Sequence, residues 1–421
     1  MLTTLALSLA VLSGAPAGPR FIEDDYAKAL RAAKASKKLL FVDAWAPWCH
    51  TCIFMREHVL TRPAFADFEK DVVFAAVDTE KAKNAGFLEK FPVDVWPTLY
   101  FIDPATETLV FKWLGSADEQ QMTSLLAAAR AKDGAVAEAD HLLAKGDVQA
   151  AAQKYLAVVK AAGDASPART TLSLLSALYL ARQHETCAKT AAEQLEGLTL
   201  PGDRVNGIVW GLGCALELPP TPERAKLLAG LVAEGKKALQ LEGVLADDLS
   251  GLYDALVTER QDAKDGVAAE ALALEWLTFL EQQAAQAPTP AARAVFDPHR
   301  VSAALAAKHP ERVVDALARS EAELPKDYNP PARLALVYRE LGRLDDALAA
   351  ADRALRKCEG GPRKLRLYDA KASILEKRGE LAARKKTLEE AVAYAKKLPK
   401  AQLSEKRLAA LEKQARDAAA R

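Results

Sequence analysis

The sequence predicts two architectures in one chain: an α/β domain with a central mixed sheet flanked by helices, followed by an all-α solenoid of helical repeats. Three observations predict it. Four of the six tryptophans (Trp45, Trp48, Trp96, Trp113) lie in the first quarter or so of the chain, and the remainder is rich in Ala and Leu. Up to about residue 131, short apolar runs alternate with segments of helical spacing. From residue 134 onward the pattern is almost wholly helical, and it repeats at an offset of 37 residues, as from Ala139 to Ser176. At 421 residues, 50% of them apolar, the chain is long enough to bury more than one core. The composition shift sets the boundary near residue 133.

The elements follow in order. Leu2 to Leu12 is an uncharged apolar stretch, and Ala15-Pro16-Ala17 behind it offers a small-x-small cleavage pattern. Residues 1–17 are therefore expected to be a signal peptide that sends the protein to the periplasm or outside the cell. Without that role the chain would be cytoplasmic. No later segment has the roughly 20 apolar residues of a membrane span. Phe21 to Ser36 has helical spacing, and Leu39 to Ala44 is a buried strand. Cys49 to Leu60 is helical until Arg62-Pro63 interrupts it. Asp71 to Val77 is a second buried strand, and Ala82 to Phe91 a helix stopped by Pro92. Thr98–Ile102 and Leu109–Trp113 pair as strands across Asp103-Pro104, and Asp118 to Lys132 is an amphipathic helix. The expected order is α-β-α-β-α-β-β-α over residues 21–132.

Charge removes one class of function. Lys plus Arg equals Asp plus Glu at 57 each, and no block of one sign provides the footprint that nucleic-acid binding requires.

The chemistry-bearing motif is Trp48-Cys49-His50-Thr51-Cys52. A Cys-x-x-Cys pair can be a redox centre, half of a zinc site or a static disulfide. Zinc needs further ligands, and the nearest candidate in sequence is His58, with no second cysteine pair. A static bridge across so short a loop restrains the unfolded chain little. No metal is expected, nor any cofactor beyond the Cys49–Cys52 disulfide. Cys187, Cys214 and Cys358 read as buried thiols acting as small hydrophobes, with a Cys187–Cys214 bridge as the alternative. His141, His184, His299 and His309 show no ligand spacing.

The run Phe41-Val42-Asp43-Ala44-Trp45-Ala46-Pro47-Trp48-Cys49-His50-Thr51-Cys52, with Trp96-Pro97-Thr98-Leu99 behind it, resembles the thioredoxin superfamily. The Trp-Cys-x-Thr-Cys form and the Thr61-Arg62-Pro63-Ala64-Phe65 segment resemble the periplasmic domains of bacterial thiol:disulfide interchange reductases. The resemblance implies that Cys49 attacks a client, with Cys52 resolving the mixed disulfide. It also implies that Asp43 is a buried acid taking the proton of Cys52, and that Pro97 is a cis-proline packed against the pair. A cysteine in the first turn of a helix faces unpaired N–H groups that favour its thiolate. Trp48, Trp96 and Thr98 are expected to bind substrate, and His50 and Thr51 to tune the pair. A cationic His50 would stabilise the reduced form and make the pair more oxidising. Where the family often carries a lysine near the buried acid, this chain has Phe74.

In the second region the same offset of 37 relates Ala335, Tyr338, Gly342 and Ala347 to Ala372, Leu375, Gly379 and Arg384, with glycine at the turn. Leu334 to Leu348 resembles a tetratricopeptide repeat, and residues 134–421 are expected to form such a solenoid. Pro219-Pro220 and Pro288-Thr289-Pro290 break the rhythm between about 200 and 310. Stacked hairpins present a surface for proteins or peptides. The expected function is an exported thiol:disulfide oxidoreductase, of protein-disulfide reductase type. Its partners would be protein thiol or disulfide clients, an upstream thiol donor, and proteins or peptides docked on the repeats. The alternative is a non-enzymatic adaptor or assembly factor whose first domain serves recognition.

Overall fold

The computed structural model describes residues 18–131 and 134–419; the expected signal peptide at 1–17 lies outside them. Five strands form one mixed sheet in the order β1-β3-β2-β4-β5. They are β1 Phe21–Glu23, β2 Leu39–Trp45, β3 Val72–Asp78, β4 Thr98–Asp103 and β5 Thr108–Leu114. β1, β3 and β2 run parallel, and β4 and β5 add antiparallel. Four α-helices belong to this part: α1 Tyr26–Ser36, α2 His50–Phe54, α3 Ala85–Lys90 and α4 Glu119–Ala131.

Two expectations are corrected here. Residues 21–23 are a strand rather than the start of a helix. Asp25 caps the helix, its carboxylate accepting from the Lys28 N–H at 2.9 Å, so α1 begins at Tyr26. That leaves Phe21 and Ile22 to pair with Phe74 and Ala75. The helix expected over Cys49–Leu60 is two pieces. After α2 the chain widens into a π-turn over Met55–Val59, closed by the Leu60 N–H to the Met55 carbonyl at 2.7 Å. A 3₁₀ segment over Pro63–Lys70 follows, with Pro63 in its first turn.

Alternation sorts β2 onto two faces. Leu40, Val42 and Ala44 pack with Ala29, Ala33, Phe87 and Tyr100 beneath α1 and α3. Phe41 faces the other way, with Phe74, Phe101, Phe111 and Met55. This second face does not end at the domain boundary. Trp113, Met122 and Leu125 continue into Val136, Tyr155, Leu172 and on to Leu256, one contiguous core.

Residues 134–419 form helices throughout, as predicted. Hairpins pair Gly134–Ala144 with Val148–Ala162, Ala168–Leu180 with His184–Gln194, Asn329–Glu340 with Leu344–Lys357, and Lys364–Lys377 with Leu381–Ala395. The turn glycines Gly342 and Gly379 take φ of +73° and +76°, backbone that a side chain would strain. The middle, where prolines break the repeat, holds long helices over Pro201–Leu216, Pro222–Ala238, Ala246–Asp262 and Gly266–Gln286, and shorter ones to Glu323. Cys187 and Cys214 are bonded to each other, joining two neighbouring helices. That settles against the two free thiols and for the bridge. Cys358 is a buried free thiol, its pKa raised by burial.

Candidate active site

Cys49 and Cys52 form a disulfide at the start of α2. Cys49 is the N-cap, and the Cys52 N–H points at its sulfur at 3.0 Å. That contact is strongest when the sulfur carries charge, so it favours a Cys49 thiolate. Cys52 is fully buried and Cys49 is 4% exposed.

Asp43 lies on β2, buried, with neither carboxyl oxygen hydrogen-bonded. Burial pushes its pKa up to about 7, Arg56 pulling it down and Glu23 raising it. The Arg56 guanidinium stands 3.7 Å from Asp43 Oδ2 and 2.7 Å from Glu23, and lies over the Trp45 ring at 4.5 Å. Phe74 leaves no cation on β3, and the turn after α2 supplies one instead. Sequence reading missed Arg56 because the π-turn, absent from any periodicity, sets where its side chain points.

The Trp96–Pro97 bond is cis. Trp48 and Trp96 pack together with ring centroids 5.1 Å apart. Trp48 donates to Glu80 at 2.7 Å, and Trp96 donates to Thr79 at 2.9 Å. Both tryptophans line a groove of about 430 Å³ whose other wall is Pro362, Arg363, Arg366 and Gln402 from the helical region. Thr98 differs from expectation. It is buried, and its hydroxyl is spent on the Val95 carbonyl at 2.6 Å, so it fastens the loop rather than meeting a substrate.

The helical region comes directly onto the cysteine loop. Asn329 donates to the Pro47 carbonyl at 2.9 Å, and the Arg363 N–H to Glu80 at 2.7 Å. The Arg363 guanidinium lies 4.8 Å from the centre of the Trp48 ring. Phe54 of α2 meets Phe296 at 6.1 Å. The two residues between the cysteines face outward to Asp247 and His299. The His50 ring stands edge-on to His299 at 4.0 Å, its Nε2 3.9 Å from Asp247 Oδ1. His299 Nε2 lies 3.2 Å from the same oxygen.

This corrects the cationic His50. Its side chain keeps 31% exposure, yet burial of the ring and then the facing His299 drive its pKa well below the usual imidazole value, with Asp247 opposing and Arg333 adding. For Asp247, burial raises the pKa, while His50, His299 and Thr51 together pull it below the usual carboxylate range. The arrangement consistent with both is a neutral His50 beside an ionised Asp247. His58, the candidate zinc ligand from sequence, stacks on Phe54 at 4.5 Å instead. Asp247 and His299 carried no sequence signal, being far along the chain from His50.

The family described as thioredoxin-like matches residues 21–104. Thioredoxin H3 of Arabidopsis thaliana is 36% identical over 107 residues, covering 24% of this chain and 80% of that protein. Protein disulfide isomerase-like 5-3 of Oryza sativa subsp. japonica is 34% identical over 110 residues, covering 26% of this chain and 25% of that one. Among solved structures, the TPR2AB-domain:pHSP90-complex of yeast Sti1 covers 66% of this chain and 96% of its own at 15% identity. Its TM-score of 0.25 is too low to bear on function.

Proposed function

The chain belongs to the thioredoxin family through its N-terminal domain, and from that premise we propose that it is an exported thiol:disulfide oxidoreductase acting on protein disulfides, with its helical region helping to hold the client. The observation that carries this reading is the Cys49–Cys52 disulfide with the Cys52 N–H on Cys49 sulfur, in the same domain as the buried Asp43 carboxyl, which makes no hydrogen bond. In the reduced pair, the Cys49 thiolate attacks a client disulfide and forms a mixed disulfide, expelling one client thiolate. Asp43, as carboxylate, takes the proton from Cys52. The Cys52 thiolate then attacks the Cys49 sulfur, the second client thiolate leaves, and the pair ends oxidised. A donor dithiol restores it.

The groove lined by Trp48, Trp96 and Arg366, beside the cysteine loop, is the place for an extended client segment in this reading. Two features support export. One is the uncharged apolar stretch ahead of Ala17, and the other is the Cys187–Cys214 bridge, a bond that persists in oxidising compartments. Among the described residues no helix is long and apolar enough to cross a membrane.

The test is a trap. In its own cell a Cys52→Ala variant should accumulate mixed disulfides through Cys49, and insulin reduction should vanish in Cys49→Ser. A Cys49→Ser/Cys52→Ser protein that retains full biological function would instead favour a recognition role.

A further inference from the structure

We propose that His50, Asp247 and His299 form a binding site for a divalent transition-metal ion of the zinc type, built across the junction between the cysteine loop and the helical region. Two imidazole Nε2 atoms, from His50 and His299, converge on one carboxylate oxygen, Asp247 Oδ1, at 3.9 and 3.2 Å. All three donor atoms lie within 4.8 Å of one another. Metal-to-ligand bonds of about 2.0–2.2 Å in tetrahedral geometry put neighbouring ligand atoms roughly 3.3 Å apart. The His299–Asp247 pair already stands at 3.2 Å. His50 closes the remainder by side-chain rotation, its Nε2 being too far from the carboxylate for a hydrogen bond.

The donor set is right for the ion. Two neutral imidazoles and a carboxylate select zinc and its neighbours over calcium or magnesium. Asp247 and His299 side chains are 6% and 12% exposed, whereas His50 keeps 31% and gives the ion a way in. Without an ion, the edge-on His50–His299 pair leaves one nitrogen with no hydrogen bond to the only carboxylate it faces within ion-pair range among the described residues. Three protein ligands leave a tetrahedral ion's fourth position open.

The consequence is a clamp. His50 lies between the two cysteines, and the other two ligands belong to the helical region. A bound ion therefore ties the redox loop to the solenoid. The site does not use the dithiol, so it stands or falls separately from the oxidoreductase reading.

The test uses the full chain with both disulfides kept oxidised, so that none of those four sulfurs can ligate. Zn²⁺ alone is titrated against a competing chromophoric chelator, and Co²⁺ absorption reports the donor atoms. One ion per chain is expected, with a Co²⁺ spectrum free of sulfur charge-transfer bands. His50→Asn, Asp247→Asn and His299→Gln should each weaken binding by about tenfold or more. Should His299→Gln fail to fold, the half-exposed His50→Asn still decides the matter. Absence of a stoichiometric ion in the unsubstituted protein would overturn the proposal. So would unchanged affinity in His50→Asn and Asp247→Asn, because the three side chains would then be only a polar contact between domains.

Discussion

Asp43 is the residue whose burial has the plainest consequence for pH dependence. Its carboxyl titrates near pH 7 in the folded protein, pushed there by burial, against about 4 in an unfolded chain. Between those values the native state holds a proton that the unfolded chain has released, so stability falls as pH rises through that window. The loss amounts to roughly 4 kcal/mol at most. Asp43→Asn cannot suffer it. Urea unfolding of the oxidised protein should show the stability of the variant relative to the unsubstituted protein rising by about 2–3 kcal/mol between pH 5 and pH 8. A difference that does not change with pH would remove Asp43 as the titrating group. The variant should also resolve mixed disulfides roughly a hundredfold more slowly above pH 7, where the carboxylate would have taken the Cys52 proton. Arg56→Met deletes the cation that lowers the Asp43 pKa and should move the pH dependence of that step upward, by raising that pKa further. The Cys49–Cys52 pairing, the burial of Asp43 and the cis bond before Pro97 were legible because each residue sits inside a short motif. Arg56, Asp247 and His299 were not, because tertiary placement alone brings them to the pair. His50 was misjudged for the same reason, since its charge is decided by neighbours from another part of the chain.

At the scale of elements, strands and long helices were legible and irregular turns were not. β2 and β3 announce themselves as continuous apolar runs, whereas β1 is three residues whose pairing with β3 depends on the Asp25 cap ending the extended segment. The π-turn over Met55–Val59 leaves no periodic trace at all. Cys187 and Cys214 show the same limit. Their spacing allowed a bridge without requiring one, and only the packing of the helix over His184–Gln194 against that over Pro201–Leu216 brings the sulfurs together. With its ends 27 positions apart in sequence, this bridge should contribute about 3.5 kcal/mol by limiting the unfolded chain. Cys187→Ala/Cys214→Ala should therefore lower the urea midpoint by that equivalent while leaving the Cys49–Cys52 pair intact. An unchanged midpoint would mean that the two helices are held by packing alone.

Across the whole molecule, the predicted boundary near residue 133 marks a change of architecture but not of core. Phe111, Trp113 and Leu125 on one side and Val136, Tyr155 and Leu172 on the other belong to a single buried cluster, and the Arg169 guanidinium lies over the Phe111 ring at 4.7 Å. At the opposite end, Phe54 joins the cluster of Trp276, Phe296 and Leu334. Composition could reveal the change in helix content but carried no record of which sheet face the helices cover. Separating the two parts would expose large aromatic side chains on both, at about 25 cal/mol per Å². The sheet and the solenoid segments that share these clusters should consequently unfold together. Near-UV circular dichroism, to which Trp45, Trp48, Trp96 and Trp113 of the sheet domain contribute beside Trp210 and Trp276, and far-UV circular dichroism, dominated by the helices, should give superimposable thermal transitions in the full chain. Phe54→Ala, which empties the joint with Phe296, should cost about 3–5 kcal/mol and lower both transitions together. Two separated transitions in the unsubstituted protein would show that the junction is a contact between independent domains.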